Sequence, residues 1–271
     1  MVDGIPVVLR DVSQANSYGL AFGEPPEKAA ARAADPDAVA LRQSLDHFST
    51  YLDASWGDFA TPPAEFGFGA LAGKLRAAAP RVKLALELGC GVGRGAYELS
   101  RSAELVVGLD RSGASLRRAR ALVRGEELLY ARRAAGRSYR PAAAHAPPAK
   151  NVELVCGDAL DPPFPPGTFG RVAALNLLDN VPSPRALLHH LHQLAASGGE
   201  VLIASPYAWR DEIVEPAERL GGADPAAALR DEVRALAWMI EEEAELPWAL
   251  RQDARTSTTY TVHFIRARRG N

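Results

Sequence analysis

Glycines and acids in one short stretch of the sequence have the spacing of a nucleoside site. Residues 82–110 read VKLALELGCGVGRGAYELSRSAELVVGLD, with glycines at positions 89, 91 and 93. Glycine lets the backbone turn tightly and admits a ligand against the main chain, where a β-carbon would collide. Asp110 lies 21 residues after Gly89, close to the spacing at which an acid accepts the hydroxyls of a ribose.

Two types of cofactor compete for this pattern. The dinucleotide fingerprint G-x-G-x-x-G needs a glycine where this chain has Arg94, so that fingerprint fails. The sequence from Glu87 to Gly93, ELGCGVG, instead resembles motif I of class I S-adenosylmethionine (SAM) methyltransferases, whose cofactor contains no phosphate. The resemblance implies that the chain binds S-adenosyl-L-methionine and releases S-adenosyl-L-homocysteine.

The elements around the glycine turn are those of a nucleotide-binding α/β unit. The apolar run Val82–Leu88 predicts a parallel strand buried on both faces, and residues 94–101 follow a helical pattern. Residues 104–109 predict the next strand, and Ser112 can cap a helix that runs to about residue 124. Ligands of such sheets bind beyond the carboxyl ends of the strands.

Three further strands are predicted to bring polar residues to that same edge. Residues 151–156 end in the sequence GDA, in which an acid can bind an adenine amino group while the alanine leaves room for the ring. The run Phe169–Leu175 delivers the polar sequence NLLDN at 176–180, and residues 201–204 lead into SPYAWRDE. The predicted cofactor contacts are Glu87, Gly89, Cys90, Gly91, Gly93, Arg94, Asp110, Arg111, Gly157, Asp158, Ala159 and Asn176.

Residues 1–80 are predicted to form an N-terminal arm and lid helices, and residues 81–271 the SAM-binding domain, in one compact unit. Tyr18 and Phe22 lie in an arm without periodicity, where they either pin the arm to the body or cover the active site. Asp35, followed by proline, is predicted to cap the first long helix.

That long helix has one apolar face and ends near Gly57, and a second helical pattern covers residues 64–79. Tyr51 and Trp56 lie in the last turns of the first long helix and are candidate substrate contacts, although aromatic residues at helical spacing more often belong to a core. The apolar face consists of Leu41, Leu45, Phe48 and Leu52.

The rest of the chain completes the fold prediction. Residues 183–197 predict a helix that ends at a pair of glycines, and residues 226–243 predict a helix that ends in three glutamates. Residues 246–268 predict two final strands. The fold class is therefore an α/β, Rossmann-like class I methyltransferase with a seven-stranded, mostly parallel sheet, an antiparallel last strand and an N-terminal helical lid.

A basic insertion covers residues 124–150. Residues 111–140 contain nine arginines and two glutamates, which would suit an RNA backbone. No aromatic residues are interleaved as in an RNA-binding module, so a solvated helix face and a flexible loop are the preferred interpretation. Nucleic acid is therefore not an expected partner.

Composition and the remaining motifs restrict the other partners. The 271 residues include 31 basic and 33 acidic side chains and no apolar run of membrane-spanning length, so no membrane partner is expected. Cys90 and Cys156 imply no disulfide framework, and a reducing cytoplasm is expected. His189, His190 and His192 do not share one helix face, and no metal site is predicted. The oligomeric state is left open between monomer and homodimer.

Four segments of the second half carry a narrower resemblance. In order they read NLLD (176–179), SPYAW (205–209), LGG (220–222) and LPWALR (246–251). Together they resemble the methyltransferase domain of ovothiol-forming enzymes and stand-alone 4(5)-mercaptohistidine N1-methyltransferases, over roughly residues 80–268. Where that family continues with R-K-[FY]-Q-W, this chain has RTSTT from residue 255.

The resemblance implies N-methylation of an imidazole in a histidine derivative such as 5-thiohistidine. Tyr207 and Asp179 are candidates to orient the acceptor or accept its proton, and Arg251 to hold a carboxylate. Alternatives are a methyltransferase of another small molecule, one that acts on RNA, and a non-catalytic SAM-binding protein. The candidate substrate contacts are Tyr51, Trp56, Asn180, Tyr207, Trp209 and Arg251.

Overall fold

The fold is that of a computed structural model, which describes residues 1, 3–9, 25–60, 63, 67–77 and 80–270. Tyr18 and Phe22 lie outside the described residues, as do both ends of the helix predicted at 64–79. The helices are α1 (Pro26–Ala33), α2 (Val39–Trp56), α3 (Gly69–Arg76), α4 (Arg94–Leu99), α5 (Gly113–Val123), α6 (Pro184–Leu194) and α7 (Pro225–Ala235). The strands are β1 (Val82–Leu88), β2 (Ala103–Asp110), β3 (Leu128–Ala135), β4 (Ser138–Ala144), β5 (Val152–Cys156), β6 (Phe169–Leu175), β7 (Ala195–Ser205), β8 (Trp238–Arg251) and β9 (Ser257–Arg269).

In the described part of the chain, seven strands form one sheet in the order β5-β2-β1-β6-β7-β9-β8. The strands from β5 to β7 are parallel, whereas β9 runs antiparallel to both of its neighbours. The predicted seven-stranded sheet with an antiparallel last strand is therefore confirmed. Because β1, β2, β5, β6 and β7 point the same way, the segments that follow them meet at one edge of the sheet.

The central strands are buried because helices cover both faces of the sheet. Leu86 and Leu88 of β1 point to the face that α6 and α7 cover, and Ala85 points to the face covered by α4 and α5; all three are fully buried. This two-sided burial explains why short, continuous apolar runs predicted these strands correctly. The predicted Ser112 cap is also confirmed, since its hydroxyl accepts a hydrogen bond from the Ser115 amide at 3.2 Å.

The three glutamates at 241–243 lie in β8, so the predicted helix over 226–243 was wrong in its second half. Helix α7 ends at Ala235, and β8 begins three residues later. Glutamates favour helices, but these pair with arginines: the Arg268 Nη2 atom lies 3.0 Å from Glu241, and Arg230 Nη1 lies 2.7 Å from Glu243. Ion pairs with neighbouring elements thus outweigh local propensity.

The sequence predicted that the pair Gly198-Gly199 ends the preceding helix. This prediction was wrong, because both glycines lie inside β7. Helix α6 stops at Leu194, and β7 starts with the next residue. The pairing of β6 with β7 shifts between Phe169 and Arg171, and Gly198 has a φ of 68°. A glycine in a strand is typical of such an irregularity.

The predicted helix start at Asp35 was also wrong, because α2 begins at Val39. The Arg42 side chain donates to the carbonyl groups of Asp35 and Pro36, so residues 35–37 are held as a turn between α1 and α2. The predicted apolar face of α2 is buried and packs in the core.

Residues 128–144 of the predicted flexible insertion form an antiparallel hairpin of β3 and β4 that packs on α2. Arg132 Nη2 lies 3.1 Å from Asp53, and Arg133 Nη1 lies 3.1 Å from Asp46. The insertion is therefore ordered by α2, whose acids neutralise part of its basic charge.

The free edge of β5 is covered by the start of the chain. The Val8 amide donates to the Cys156 carbonyl at 2.8 Å, and the Cys156 amide donates to the Pro6 carbonyl at 2.8 Å. No helix of the described residues is both long and apolar enough to cross a membrane. The division of the chain at residue 80 stays a prediction.

A buried ion pair joins β6 to β7. The Arg171 side chain is 1% exposed and bonds Glu200, which is 2% exposed. The same guanidinium donates to the Ser102 hydroxyl at 2.9 Å and to the Pro80 carbonyl at 3.0 Å. Removing one member would leave the other charge buried without its partner.

We expect Arg171→Met to lower the free energy of unfolding by about 3–5 kcal/mol, because Glu200 loses its buried partner. Urea denaturation followed by circular dichroism measures this change. Arg185→Met breaks the exposed pair with Glu232 and serves as control, with an expected change below about 1 kcal/mol. Equal effects of the two substitutions would contradict a structural role for the buried pair.

Candidate active site

The turn between β1 and α4 is shaped by glycines with left-handed backbone angles. Gly89 has a φ of 72°, and a β-carbon there would lie 2.6 Å from the Leu177 side chain. Gly91 has a φ of 52°, and a β-carbon there would meet nothing within 4 Å. The first glycine is therefore required by packing, and the second leaves the main chain open toward a ligand.

Asp110 at the end of β2 holds this turn in place. One carboxylate oxygen accepts the Gly91 amide at 2.8 Å, and the other accepts the Ser112 amide at 2.7 Å. Burial raises the pKa of Asp110, and the two amide hydrogen bonds oppose that shift. Each carboxylate oxygen can accept more than one hydrogen bond, so the predicted ribose contact is compatible with these bonds.

A cleft of about 310 Å³ opens beside the glycine turn at the carboxyl edge of the sheet. Its walls come from the glycine turn, from the segments after β6 and β7, from α2 and α3, and from the β8–β9 hairpin. Its lining includes Tyr51, Ser55, Phe68, Glu87, Gly89, Cys90, Gly91, Arg94, Asn176, Asp179, Asn180, Ala208, Arg210, Trp248, Leu250 and Tyr260.

A second, smaller cleft of about 90 Å³ adjoins the first, because Gly89 and Asn180 line both. It also contains Asp110 and Asp158, the two acids predicted to bind ribose and adenine. The remaining predicted cofactor residues in its wall are Arg111, Gly157 and Ala159. Of the predicted cofactor residues only Gly93 lines neither cleft; it precedes the first residue of α4.

Two polar atoms at the cofactor end of the larger cleft lack partners among the described residues. They are the Oε2 atom of Glu87 and the Oδ1 atom of Asn176, both buried. Burial raises the pKa of Glu87 to about 8, and nearby Asp110 adds to the shift. Two unpaired oxygens near a second acid fit the ammonium and sulfonium groups of SAM, so the residues present fit this cofactor.

Asp179 lies where the larger cleft meets the segment after β7. Its carboxylate accepts the Ala208 amide at 3.0 Å and lies 3.4 Å from the Ser205 hydroxyl. Burial raises the pKa of Asp179, while its hydrogen bonds and the positive charge of Arg210 oppose the shift. Asp179 is therefore a carboxylate held by hydrogen bonds inside the cleft.

The structure does not bring Tyr207 and Trp209 to the cleft with Asp179. The Tyr207 hydroxyl is 2.6 Å from Nδ1 of His263, whose Nε2 atom is 2.8 Å from Glu243. Both aromatic rings pack against the hydrophobic cluster beneath α6 and α7. The backbone of Tyr207 has a φ of 54°, a left-handed conformation that is uncommon for such a residue.

Trp56 and Arg94 hold the cleft together but do not present free groups to it. Trp56 is fully buried, and its indole nitrogen donates to the Val92 carbonyl at 3.0 Å, so the predicted substrate contact is corrected to a core position. Arg94 lines the cleft, but its guanidinium is bonded to Asp58 at 2.5 and 2.7 Å and to Glu98 at 3.0 Å.

The predicted carboxylate anchor Arg251 is likewise directed elsewhere. Its Nη2 and Nε atoms lie 2.9 and 3.2 Å from the two oxygens of Asp53, and Arg251 is not part of the cleft lining. Asp53 lies on α2 and faces away from the cleft toward the β3–β4 hairpin, where it also binds Arg132. The family-like LPWALR segment thus reaches the cleft through Trp248 and Leu250.

Sequence reasoning missed several residues of the cleft wall. Arg210 lies inside the SPYAWRDE segment that follows a predicted strand, but its side chain was not among the candidate site residues. Trp248 belongs to the LPWALR motif, in which only Arg251 was predicted to bind the substrate. Tyr260 was predicted only as part of a strand. Alternation along β8 and β9 was the available signal, since it places Trp248, Leu250 and Tyr260 on the face that carries the cleft.

The buried carboxyl of Glu87 makes the stability of the ligand-free protein depend on pH. Its pKa of about 8 lies above that of an unfolded chain, so the stability it contributes is present at low pH and is lost between about pH 4.5 and 8. Relative to Glu87→Gln, we expect the wild type to lose up to about 1.4 kcal/mol of unfolding free energy per pH unit in this window.

Chemical denaturation at pH 5, 6, 7 and 8 measures this slope. Glu232→Gln, at an exposed ion pair, is the control and should follow the wild-type profile. Parallel profiles for the wild type and Glu87→Gln would show that the carboxyl is ionised in the folded protein throughout the range.

Comparison with known proteins places this cleft in a familiar fold. Residues 86–203 match the family model of a methyltransferase domain. No curated protein is significantly similar to the chain in sequence. The matched residues run from β1 through β7 and contain the glycine turn, Asp110, Asp158 and Asp179.

Solved structures resemble this fold at low sequence identity. A candidate methyltransferase of Haloferax volcanii, solved with its Trm112 activator, has a TM-score of 0.54 at 14% identity over 84% of this chain and 97% of its own. A candidate methyltransferase from Bacillus halodurans C-125 has a TM-score of 0.52 at 14% identity over 74% of this chain and 99% of its own. A candidate RNA methyltransferase of Pyrococcus horikoshii has a TM-score of 0.50 at 11% identity over 75% of this chain and 86% of its own.

These likenesses establish the fold and leave the substrate open, since the similar structures carry different descriptions. The domain match covers the strands whose ends form both clefts, and those clefts contain the acids and glycines of the cofactor motif. Residues 86–203 therefore match a methyltransferase domain, and the clefts at the ends of its strands contain the residues that fit S-adenosylmethionine.

Proposed function

We propose that the protein methylates a nitrogen atom of a small molecule, and most specifically the imidazole of a histidine derivative such as 5-thiohistidine. The observation that carries the proposal is the buried carboxylate of Asp179, held in the same cleft as the glycine turn. The sequence resemblance of the NLLD and SPYAW segments supports the histidine derivative, because both segments border this cleft.

The size of the cleft supports a small acceptor. The cleft volume of about 310 Å³ is at the lower end of small-molecule sites, and its cofactor end takes part of that space. Its lining includes Tyr51 of α2, Phe68 just before α3, and Trp248 and Tyr260 from the final hairpin.

The basic insertion gives little support to an RNA substrate. Arg132 and Arg133 form ion pairs with acids of α2, and the Arg118 guanidinium lies 3.6 Å from the centre of the Phe48 ring. Arginines committed to the fold contribute less to a phosphate-binding surface than solvated ones would. The insertion therefore favours a structural role over nucleic-acid binding.

The residues of the cleft have separable roles in the proposed reaction. When bound, SAM supplies an electrophilic methyl group and leaves as S-adenosyl-L-homocysteine, with the electron pair of the broken S–C bond on sulfur. Glu87, Asn176 and Asp110 would fix the cofactor, and Asp179 would orient the acceptor so that its nitrogen lone pair faces the methyl group. A new N–C bond would form, and the ring would then lose the proton of its other nitrogen, for which Asp179 in the cleft lining is the proposed acceptor.

Tyr207 contributes to this arrangement as a positioning residue. Its hydroxyl is held by His263, and its backbone amide donates to the Ser205 hydroxyl at 3.1 Å. Ser205 in turn faces Asp179, and the next residue after Tyr207 supplies the amide that Asp179 accepts. The tyrosine thereby fixes the loop that shapes the Asp179 site without touching the cleft.

Methyl transfer to 5-thiohistidine tests the proposed function, with histidine and imidazole-4-acetate alongside and mass spectrometry as the readout. We expect a monomethylated thiohistidine and little product from histidine. Asp110→Ala should weaken SAM binding by about 1.5–3 kcal/mol, because a charged hydrogen-bond acceptor is lost, and should reduce turnover at limiting SAM. Bound SAM without product from any of the three acceptors would reject the imidazole acceptor and favour another small nucleophile.

Asp179→Asn and Tyr207→Phe separate the two roles assigned beside the cleft. The first keeps the shape but removes the charge, and we expect kcat to fall about 10²–10⁴-fold, the scale of a general base. The second removes the bond to His263 and should change kcat less than Asp179→Asn, with a larger relative rise in KM for the acceptor. Unchanged turnover in Asp179→Asn would remove Asp179 from the mechanism.

A further inference from the structure

The cleft wall opposite the glycine turn carries a partly exposed cation, Arg210. Its side chain is 54% exposed and lines the cleft. Glu212, its carboxylate neighbour, lies 3.6 Å away and is 71% exposed, so water weakens that pair. Arg210 is thus available to an anion in the cleft, whereas the guanidinium of Arg94 is committed to Asp58 and Glu98.

An indole group beside the same space also lacks a partner. Trp248 lines the cleft, and within the described chain its buried Nε1 atom has no hydrogen-bond partner. A buried N–H donor without an acceptor is costly, so it marks a place where a ligand acceptor would be favourable. The ring centre of Tyr260 lies 5.6 Å from that of Trp248, and the two planes differ by 34°, which gives the cleft an aromatic wall.

The positions of these groups separate them from the cofactor end. Arg210 follows β7, which is two strands from β1 in the sheet, and Trp248 belongs to the hairpin beyond it. The cofactor end instead contains Asp110 and the unpaired oxygens of Glu87 and Asn176, which favour a hydrogen-bond-donating cation. Arg210 is the cation beside Asp179 on this side of the cleft, and it would attract the carboxylate of an acid.

We propose that Arg210 binds the carboxylate of the acceptor and that Trp248 donates to its ring or ring substituent. This assigns the acceptor to the planar aromatic or heteroaromatic acids, and it takes from Arg251 the role that the sequence motif gave to that residue. The inference rests on the proposed function, because it concerns the acceptor half of the same cleft.

Paired probes test this assignment by isothermal titration calorimetry on protein saturated with S-adenosyl-L-homocysteine. The probes are 5-thiohistidine, imidazole-4-acetate and anthranilate, each as the acid and as its carboxamide. We expect the wild type to bind the acid of at least one pair about 10- to 100-fold more tightly than the amide, as a charged hydrogen bond implies. Arg210→Gln should reduce that ratio to about one and leave the affinity for S-adenosyl-L-homocysteine unchanged.

A control variant and a variant of Trp248 separate the contribution of the Arg210 charge from that of the Trp248 donor. Arg234→Gln is the matched control, because Arg234 is 63% exposed and lies 3.6 Å from an exposed acid, Asp231, on α7. It should keep the wild-type ratio of acid to amide. Trp248→Phe should weaken the acid and the amide of a pair equally, because it removes a donor and leaves the guanidinium in place.

Several outcomes would overturn the inference. They are a ratio near one for every pair in the wild type, a ratio that Arg210→Gln leaves intact, and no binding by any probe. An equal loss of S-adenosyl-L-homocysteine affinity in Arg210→Gln would also reject it, since Arg210 would then hold the cofactor's own carboxylate. If only the anthranilate pair shows the dependence on Arg210, the inference stands and the histidine-derived acceptor is rejected. If the protein methylates 5-thiohistidine and Arg210→Gln does not affect that turnover, the proposed function stands and the inference is rejected.

Discussion

A buried guanidinium joins the N-terminal helices to the glycine turn, and the cleft depends on it. Arg94 is the first residue of α4, and its side chain reaches back to Asp58 and to the Ser55 carbonyl at the end of α2. Trp56 supports the same junction through its bond to the Val92 carbonyl. A charge with this little solvent is stable only with its acids in place, so the ligand-facing turn and the helices above it form one structure.

The two ends of the cleft differ in charge, and this difference organises the chemistry. Acids and unpaired oxygens gather around the glycine turn, where β1, β2 and β6 end. A cation and an unpaired indole donor lie on the side built from the β7 loop and the final hairpin. For the acid acceptor proposed above, this arrangement would favour a carboxylate beside Arg210 and the cationic methyl donor at the glycine turn.

Sequence patterns predicted the strand ends well and the directions of long side chains poorly. Short apolar runs and glycine turns are local signals, so β1, β2, β5 and β6 and the acids at their tips were found. Arg94, Arg251 and Trp56 have the right chemistry near the right place, yet each points to a partner contributed by a distant segment. The helix predicted over the glutamates of β8 was wrong for the same reason, because the arginines that pair with them are distant in sequence.

The cover that Pro6 and Val8 provide over the edge of β5 has a consequence for how much of the chain is one folding unit. A chain trimmed to residue 81 would leave the amide and carbonyl of Cys156 unpaired at the end of β5, beside the loop that holds Asp158. It would also strip Arg94 of Asp58. The residues before the sheet thus complete both the last pairing at the edge of β5 and the ion pair beneath the cleft.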